Sequence, residues 1–296
     1  MNHNLEKGDR VGLVAPGRKI SPKEMEEAME IISSWGLKVI PGSHLFSDEH
    51  SYLGASDKHR KEDFQQFISD PSIRAIFCAR GGYGTTRILD QLDFSPCFSS
   101  PKWIVGFSDI TALHLKLHHL KLESIHGIMP LLFGRKDANP SIESLRQALF
   151  FDPQPLVAHA HPNNREGVGQ GPMIGGNLSL VVDSLGTSSE FDPSGKILVL
   201  EEIDEHLYKI DRMMVQLKRA GKLNALAGLA LGYFSDLKDS SLPFGEPYEN
   251  IISQHVKDFS YPVGFLFPIG HEFPNMAWRH GAIRKLTVSK NGSRLS

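Results

Sequence analysis

Val105-Gly106-Phe107-Ser108-Asp109-Ile110-Thr111 joins an apolar run to an amphipathic one. Residues 103–107 read as a buried strand and 109–120 as a helix. Ser108 then falls on a sharp strand-to-helix turn, with Gly106 two residues before it. A turn of this kind exposes a serine hydroxyl and sets the first backbone N–H groups of the new helix beside it, as a nucleophile requires. A serine in front of a helix can also serve only as its N-cap, and Asp109 can take that role in its place.

The pattern around this turn is an alternation of strands and helices. An apolar strand over 10–15 ends in Pro16-Gly17. Ser21-Pro22-Lys23-Glu24 supplies an N-cap, a proline for the first helical position and the acid of a capping box, so a helix should run to about 35, where Gly36 stops it. Strands follow over 37–40 and 74–79, with a helix over 57–69 between them. The loop Arg80-Gly81-Gly82-Tyr83-Gly84 leads into a short helix to about 92. A strand end over 125–130 and a helix over 141–150 complete the half. This order predicts an α/β domain with a mostly parallel sheet covered on both faces, whose ligands gather at the carboxyl ends of the strands. Those ends carry Gly81-Gly82, Ser108 and His126-Gly127, which are expected to share one crevice.

Over 151–171 the periodicity breaks: Asp152-Pro153, His161-Pro162-Asn163-Asn164 and a run of glycines interrupt it. We place a junction at 153–171, between an N-terminal domain over 1–152 and a C-terminal β-rich α/β domain over 172–296. In the latter, helices are expected over 177–185, 207–220 and 247–259, and strands over 196–200, 226–233, 263–268 and 282–288. Ile210, Met213, Met214 and Leu217 line one face of the 207–220 helix.

The 296 residues suffice for two ordinary domains, and 40% apolar with 22% charged residues is the composition of a soluble globular protein. A formal net charge of -2 gives no case for nucleic acid or an anionic membrane surface. No apolar stretch approaches the ~18 residues of a transmembrane helix, and residues 1–10 lack an apolar signal core. Cys78 and Cys97 cannot build a disulfide framework, so the expected location is the cytoplasm. None of the 14 histidines falls in His-Glu-x-x-His spacing, and no metal or other cofactor is expected.

Two further segments repeat the motif of an apolar run ending in a polar residue. Residues 197–200 stop at Glu201-Glu202, and Phe267-Pro268-Ile269-Gly270 stops at His271. A carboxylate can hold an imidazole in one tautomer, and an imidazole with a pKa near 6.5 can take and return a proton at neutrality. Either acid can merely be solvated, and the histidine can be an ordinary loop residue. The 80–84 loop is neither Gly-x-Gly-x-x-Gly nor a phosphate loop. Its glycines would let backbone N–H groups approach an oxyanion, or would simply make a tight turn.

Taken together, these segments resemble the LD-carboxypeptidase family of serine peptidases, which includes the muramoyltetrapeptide carboxypeptidases and the microcin C immunity peptidases. The matching stretches are Val11–Pro16, Arg80–Gly84, Val105–Thr111, His126-Gly127, Gly176–Ser179, Leu200–Glu205, Tyr208 with Ile210-Asp211-Arg212, and Gly270-His271. They lie in the family's order along nearly the whole chain. The resemblance implies a Rossmann-like (flavodoxin-like) N-terminal domain, a smaller β-rich C-terminal domain and a catalytic triad shared between them. By position, Ser108 is the nucleophile, His271 the general base and acid, and Glu201 the residue that orients the histidine. The N–H groups of Gly82 and Asp109 form the oxyanion hole. A substrate carboxylate calls for a cationic partner, for which Arg80 and Arg212 are the candidates. The implied substrate is a muropeptide tetrapeptide cut before its terminal D-alanine, and many members are homodimers. Two features depart from the family. Glu202 stands where an aspartate is common, leaving either acid to face His271. Trp278-Arg279-His280-Gly281 replaces a Pro/Leu-rich approach, making His280 a rival base. Two other readings are an immunity peptidase cleaving an aminoacyl or peptidyl nucleotide antibiotic, its adenine stacked on Trp35, Trp103 or Trp278, and a non-catalytic protein that binds a nucleotide or cell-wall peptide.

Overall fold

The computed structural model describes residues 4–296. They form two compact units, one made of the chain up to Pro153 together with Met276–Arg279, the other of Gln154–Asn275 and His280–Ser296.

In the first unit the chain runs β1 (Arg10–Val14), α1 (Pro22–Ser34), β2 (Lys38–Pro41), α2 (Asp57–Ser69), β3 (Ile73–Cys78), the single-turn helices α3 (Thr86–Leu89) and α4 (Pro96–Ser99), β4 (Trp103–Gly106), α5 (Thr111–His119), β5 (Ser124–His126) and α6 (Asn139–Phe150). Local chemistry sets these boundaries. The Glu24 carboxylate accepts the Ser21 N–H at 2.8 Å and its hydroxyl at 2.7 Å, fixing the start of α1. Met25, Ala28 and Ile32 then recur at helical spacing on its buried face. Strands β4 and β5 are buried along their whole length, and β1 and β3 nearly so. Continuous burial of this kind belongs to parallel strands covered on both faces.

The second unit holds β6 (Leu156–His159), β7 (Gly167–Asn177), α7 (Leu178–Asp183), β8 (Ile197–Ile203), α8 (Leu207–Arg219), β9 (Gly228–Ser235), α9 (Tyr248–Val256) and β10 (Val263–Gly264). The chain then returns to the first sheet as β11 (Trp278–His280), and ends in the hairpin β12 (Ile283–Ser289) and β13 (Gly292–Leu295). The first sheet has the order β11-β5-β4-β3-β1-β2, parallel from β5 through to β2. The second has the order β10-β9-β8-β7-β12-β13-β6, parallel among β7–β10 and antiparallel from β7 to β6.

The architecture is thus α/β, with a mostly parallel first sheet and a β-rich second unit, as the alternation predicts. Residues 153–171, expected as a junction with an irregular or β-rich start to the second domain, contain β6 and the first part of β7. The details differ in three places. Strand β10 is two residues long where 263–268 was expected, because Leu266 at φ 59° turns the chain out of the ladder. The expected strand end over 125–130 begins as β5, ends at His126 and gives way to a 3-10 turn at Pro130–Leu132. Finally, β11 lies within residues 278–281, a segment where no strand was expected.

Candidate active site

The first unit builds the serine. Strand β4 ends at Gly106, and Ser108 takes φ 62°, a left-handed conformation that costs a non-glycine residue about 1–3 kcal/mol. A single 3-10 turn, Ser108–Ile110, then feeds α5. Gly106 permits the reversal: a Cβ there would stand 2.8 Å from Cγ1 of Ile110. Gly81 lies against the serine from the neighbouring loop, where a Cβ would fall 3.2 Å from Cβ of Ser108 and 3.4 Å from the Asp109 nitrogen. The strained residue is therefore backed by a glycine that leaves it room.

Asp109 does not point at solvent. It is 2% exposed, and its Oδ2 accepts the Thr85 N–H at 3.0 Å and the Thr85 hydroxyl at 2.7 Å. Its side chain pins the glycine loop to the turn, while its main chain follows the serine. Gly82 is exposed at φ 106°, and the aliphatic stem of Arg18 lies against it. The Arg18 guanidinium in turn covers the Tyr52 ring at 4.8 Å.

Beneath the turn lies His114, which sequence reading did not single out. Burial pulls its pKa down to about 4, against a raising bond to the Gly106 carbonyl. The ring is therefore neutral at physiological pH. A carbonyl can only accept, so Nε2–H donates to the Gly106 oxygen at 2.9 Å and Nδ1 accepts the Ser124 hydroxyl at 2.8 Å. His114 thereby joins the last residue of β4 to β5. Its position on the inner face of α5 was the available signal.

The second unit pairs Glu201 with His271. Glu201 on β8 is fully buried, and its Oε2 stands 2.8 Å from Nδ1 of His271. A carboxylate only accepts, so Nδ1 carries the proton and Nε2 is the basic nitrogen. Burial pulls the His271 pKa down, but the Glu201 charge and hydrogen bond, with Glu202 and Asp236 behind them, outweigh it and raise the group above 6.5. Gly270, at φ 126°, is required here, since a Cβ would come within 3.1 Å of Cβ of Glu201.

Glu202 faces the other way. It accepts from Asn177 Nδ2 at 2.7 Å, from the Ser179 N–H at 2.8 Å and hydroxyl at 2.6 Å, and from the Ile203 N–H at 2.9 Å. It fastens the N-terminus of α7 to β8. Burial and the Glu201 charge raise its pKa, against these hydrogen bonds. The rival His280 is buried, with Nε2 accepting the Gly175 N–H at 3.0 Å.

The expected cations take different stations. Arg80 donates Nη1 to the Lys19 carbonyl at 3.0 Å, and its buried Nε finds no partner among the described residues. Arg212 is exposed on α8, over the Tyr208 ring at 5.3 Å. Trp103 and Trp278 are buried, under Arg279 and against His126 respectively, and Trp35 lies beside Phe133. Both cysteines are buried and unlinked. No helix among the described residues is long and apolar enough to cross a membrane.

Residues 11–127 match the model of the LD-carboxypeptidase N-terminal domain and residues 170–286 that of the C-terminal domain. The chain is 35% identical over 285 residues to a probable murein peptide carboxypeptidase of Bacillus subtilis (strain 168), covering 94% of this chain and 88% of that protein. The crystal structure of muramoyltetrapeptide carboxypeptidase from Oxalobacter formigenes superposes with a TM-score of 0.89 at 27% identity, covering 97% of each chain. The microcin C7 self immunity protein MccF, in complex with aspartyl sulfamoyl adenosine, has the same fold at 18% identity, with a TM-score of 0.87 over 99% of this chain and 97% of its own.

Proposed function

The chain belongs to the LD-carboxypeptidase family, and from that premise we propose that it is a serine carboxypeptidase that removes the terminal D-alanine from muropeptide tetrapeptides. The observation that carries this reading is the buried Glu201 held 2.8 Å from Nδ1 of His271, which readies Nε2 as a base. The strained turn at Ser108 supplies the matching nucleophile.

In this reading Ser108 passes its hydroxyl proton to His271 Nε2 as Oγ attacks the carbonyl of an L-configured diamino acid. The N–H groups of Asp109 and Gly82 receive the oxyanion, a contribution of roughly 10²–10³ in rate per donor. His271 then returns the proton to the departing amine of D-alanine. Water, deprotonated by the same imidazole, releases the acyl group and regenerates the serine. Glu201 accepts the Nδ1–H throughout and stabilises the imidazolium. Arg80 and Arg212 are the proposed partners of the substrate carboxylate, and Arg18, lying on Gly82, joins them. A cytoplasmic homodimer that recycles cell-wall fragments fits this chemistry. Size-exclusion chromatography with light scattering would test the dimer.

The test of the reading is mass spectrometry of a muramyl tetrapeptide ending in D-alanine, incubated with the wild type and with Ser108→Ala. Loss of one alanine with the wild type only is the expected result. Cleavage by the variant would overturn the nucleophile. An untouched tetrapeptide beside hydrolysis of an aminoacyl sulfamoyl adenosine would transfer the activity to nucleotide antibiotics. Tight binding without turnover of either would leave a binding protein.

A further inference from the structure

Helix α5 buries Ala112, Leu113, Leu115 and Leu117, and among them a single imidazole, that of His114. A leucine at this position would avoid the cost of taking a polar ring out of water. The ring is offset by its bonds, and both nitrogens are engaged: Nε2–H on the Gly106 carbonyl and Nδ1 on the Ser124 hydroxyl.

The bond to Gly106 spans the turn that carries the serine. Gly106 is the last residue of β4, His114 lies eight residues further on in α5, and Ser108 stands between them. One hydrogen bond therefore closes strand, turn and helix into a ring. The same carbonyl accepts the Gly127 N–H at 3.1 Å, continuing the ladder from β4 to β5, so both of its lone pairs are used. Its peptide plane leads into Phe107, extended at φ -151° and ψ -171°, and then into Ser108 at φ 62°. A left-handed serine persists only where its surroundings over-determine it. On one side of Ser108, Thr85 fixes Asp109. On the other side the fixed point is the Gly106 carbonyl.

Resting on the reading of Ser108 as the nucleophile, we propose that His114 is a positioning residue for it. By clamping the Gly106 carbonyl, His114 sets the angle between β4 and α5, and with it the point at which Ser108 presents Oγ. Ser124 has a supporting part. Its hydroxyl, given to Nδ1, keeps the ring proton on Nε2, and only a protonated Nε2 can bind a carbonyl. Loss of the clamp should therefore harm the chemical step more than substrate binding.

The test separates the two bonds of the ring. A glutamine brings an N–H to the level of Nε2, whereas an asparagine ends at the level of Nδ1 and reaches only Ser124. Release of D-alanine from the muramyl tetrapeptide, followed by mass spectrometry, gives kcat and KM, and melting curves report stability. His114→Asn should lower kcat by about 10² with KM unchanged. His114→Gln should recover most of that loss, although both variants melt below the wild type. A purely structural histidine would instead make the rates follow the melting temperatures. Equal kcat in the two variants, kcat that tracks melting temperature, or a change confined to KM would overturn the proposal. If His114→Asn does not fold, His114→Leu, which fills the space without a donor, takes its place with the same expected loss. A wild type that leaves the tetrapeptide intact would overturn the peptidase reading and this inference with it, whereas failure of the inference alone shows only in the variants.

Discussion

At the scale of single residues, the proposed chemistry depends on two side chains held in states they would not adopt in water. His271 is raised above its ordinary pKa by Glu201 in spite of burial. A base must be unprotonated to act, so kcat/KM should rise with pH through a limb lying above 6.5. Glu201→Gln removes the largest raising influence and offers Nδ1 the wrong partner. Its kcat should fall by roughly 10⁴, and the residual limb should move to lower pH, both read from a pH–rate profile. The folding linkage has the opposite sign: the pair stabilises the folded chain below pH 6.5, and that contribution fades as pH rises through the elevated pKa. Ser108 is the other such residue. Gly81→Ala would bring a methyl to 3.2 Å from its Cβ. We expect kcat to fall by about 10² while the melting temperature hardly moves, because a small misplacement of a nucleophile is costly in rate.

At the scale of elements, His114 on α5 ties β4 to β5 from inside the core. Its pKa of about 4 means that the unfolded chain takes up a proton below pH 6.5 that the folded chain refuses. The neutral ring costs nothing above pH 6.5. Between pH 6.5 and 4 it should withdraw on the order of 3 kcal/mol of stability. Urea titrations across that range should therefore show a shallower decline in His114→Gln than in the wild type. This histidine also marks where the sequence was legible and where it was not. The strand–turn–helix at 103–119 could be read because a glycine, a serine and a change of periodicity coincide there. Glu201 and His271 could be read for the same reason, each ending an apolar run. The choice of Glu201 over Glu202 could not, since alternation puts the two acids on opposite faces without saying which face is which. Nor could β11, β6 and β13 be read from so few residues. Their pairing partners lie far along the chain, and pairing rather than propensity makes them strands.

At the scale of the whole molecule, the segment Met276–Arg279 is built into the first unit although more than a hundred residues separate it from Pro153. Trp278 stacks on His126 with ring centroids 5.1 Å apart. The guanidinium of Arg279 lies over Trp103 at 4.7 Å and donates to the Ala148 carbonyl at 2.9 Å and to that of Phe151 at 2.7 Å. It thus satisfies the C-terminal carbonyls of α6 with a buried positive charge. Arg279→Met should cost about 2–3 kcal/mol, measured by urea denaturation. The N-terminal gene segment therefore does not encode the whole of the first unit. During synthesis the first sheet lacks its edge strand, and α6 its cationic cap, until the ribosome has passed codon 279. The unit begun first is completed almost last, and a nascent chain stalled in between would expose the flank of β5 to any neighbouring strand.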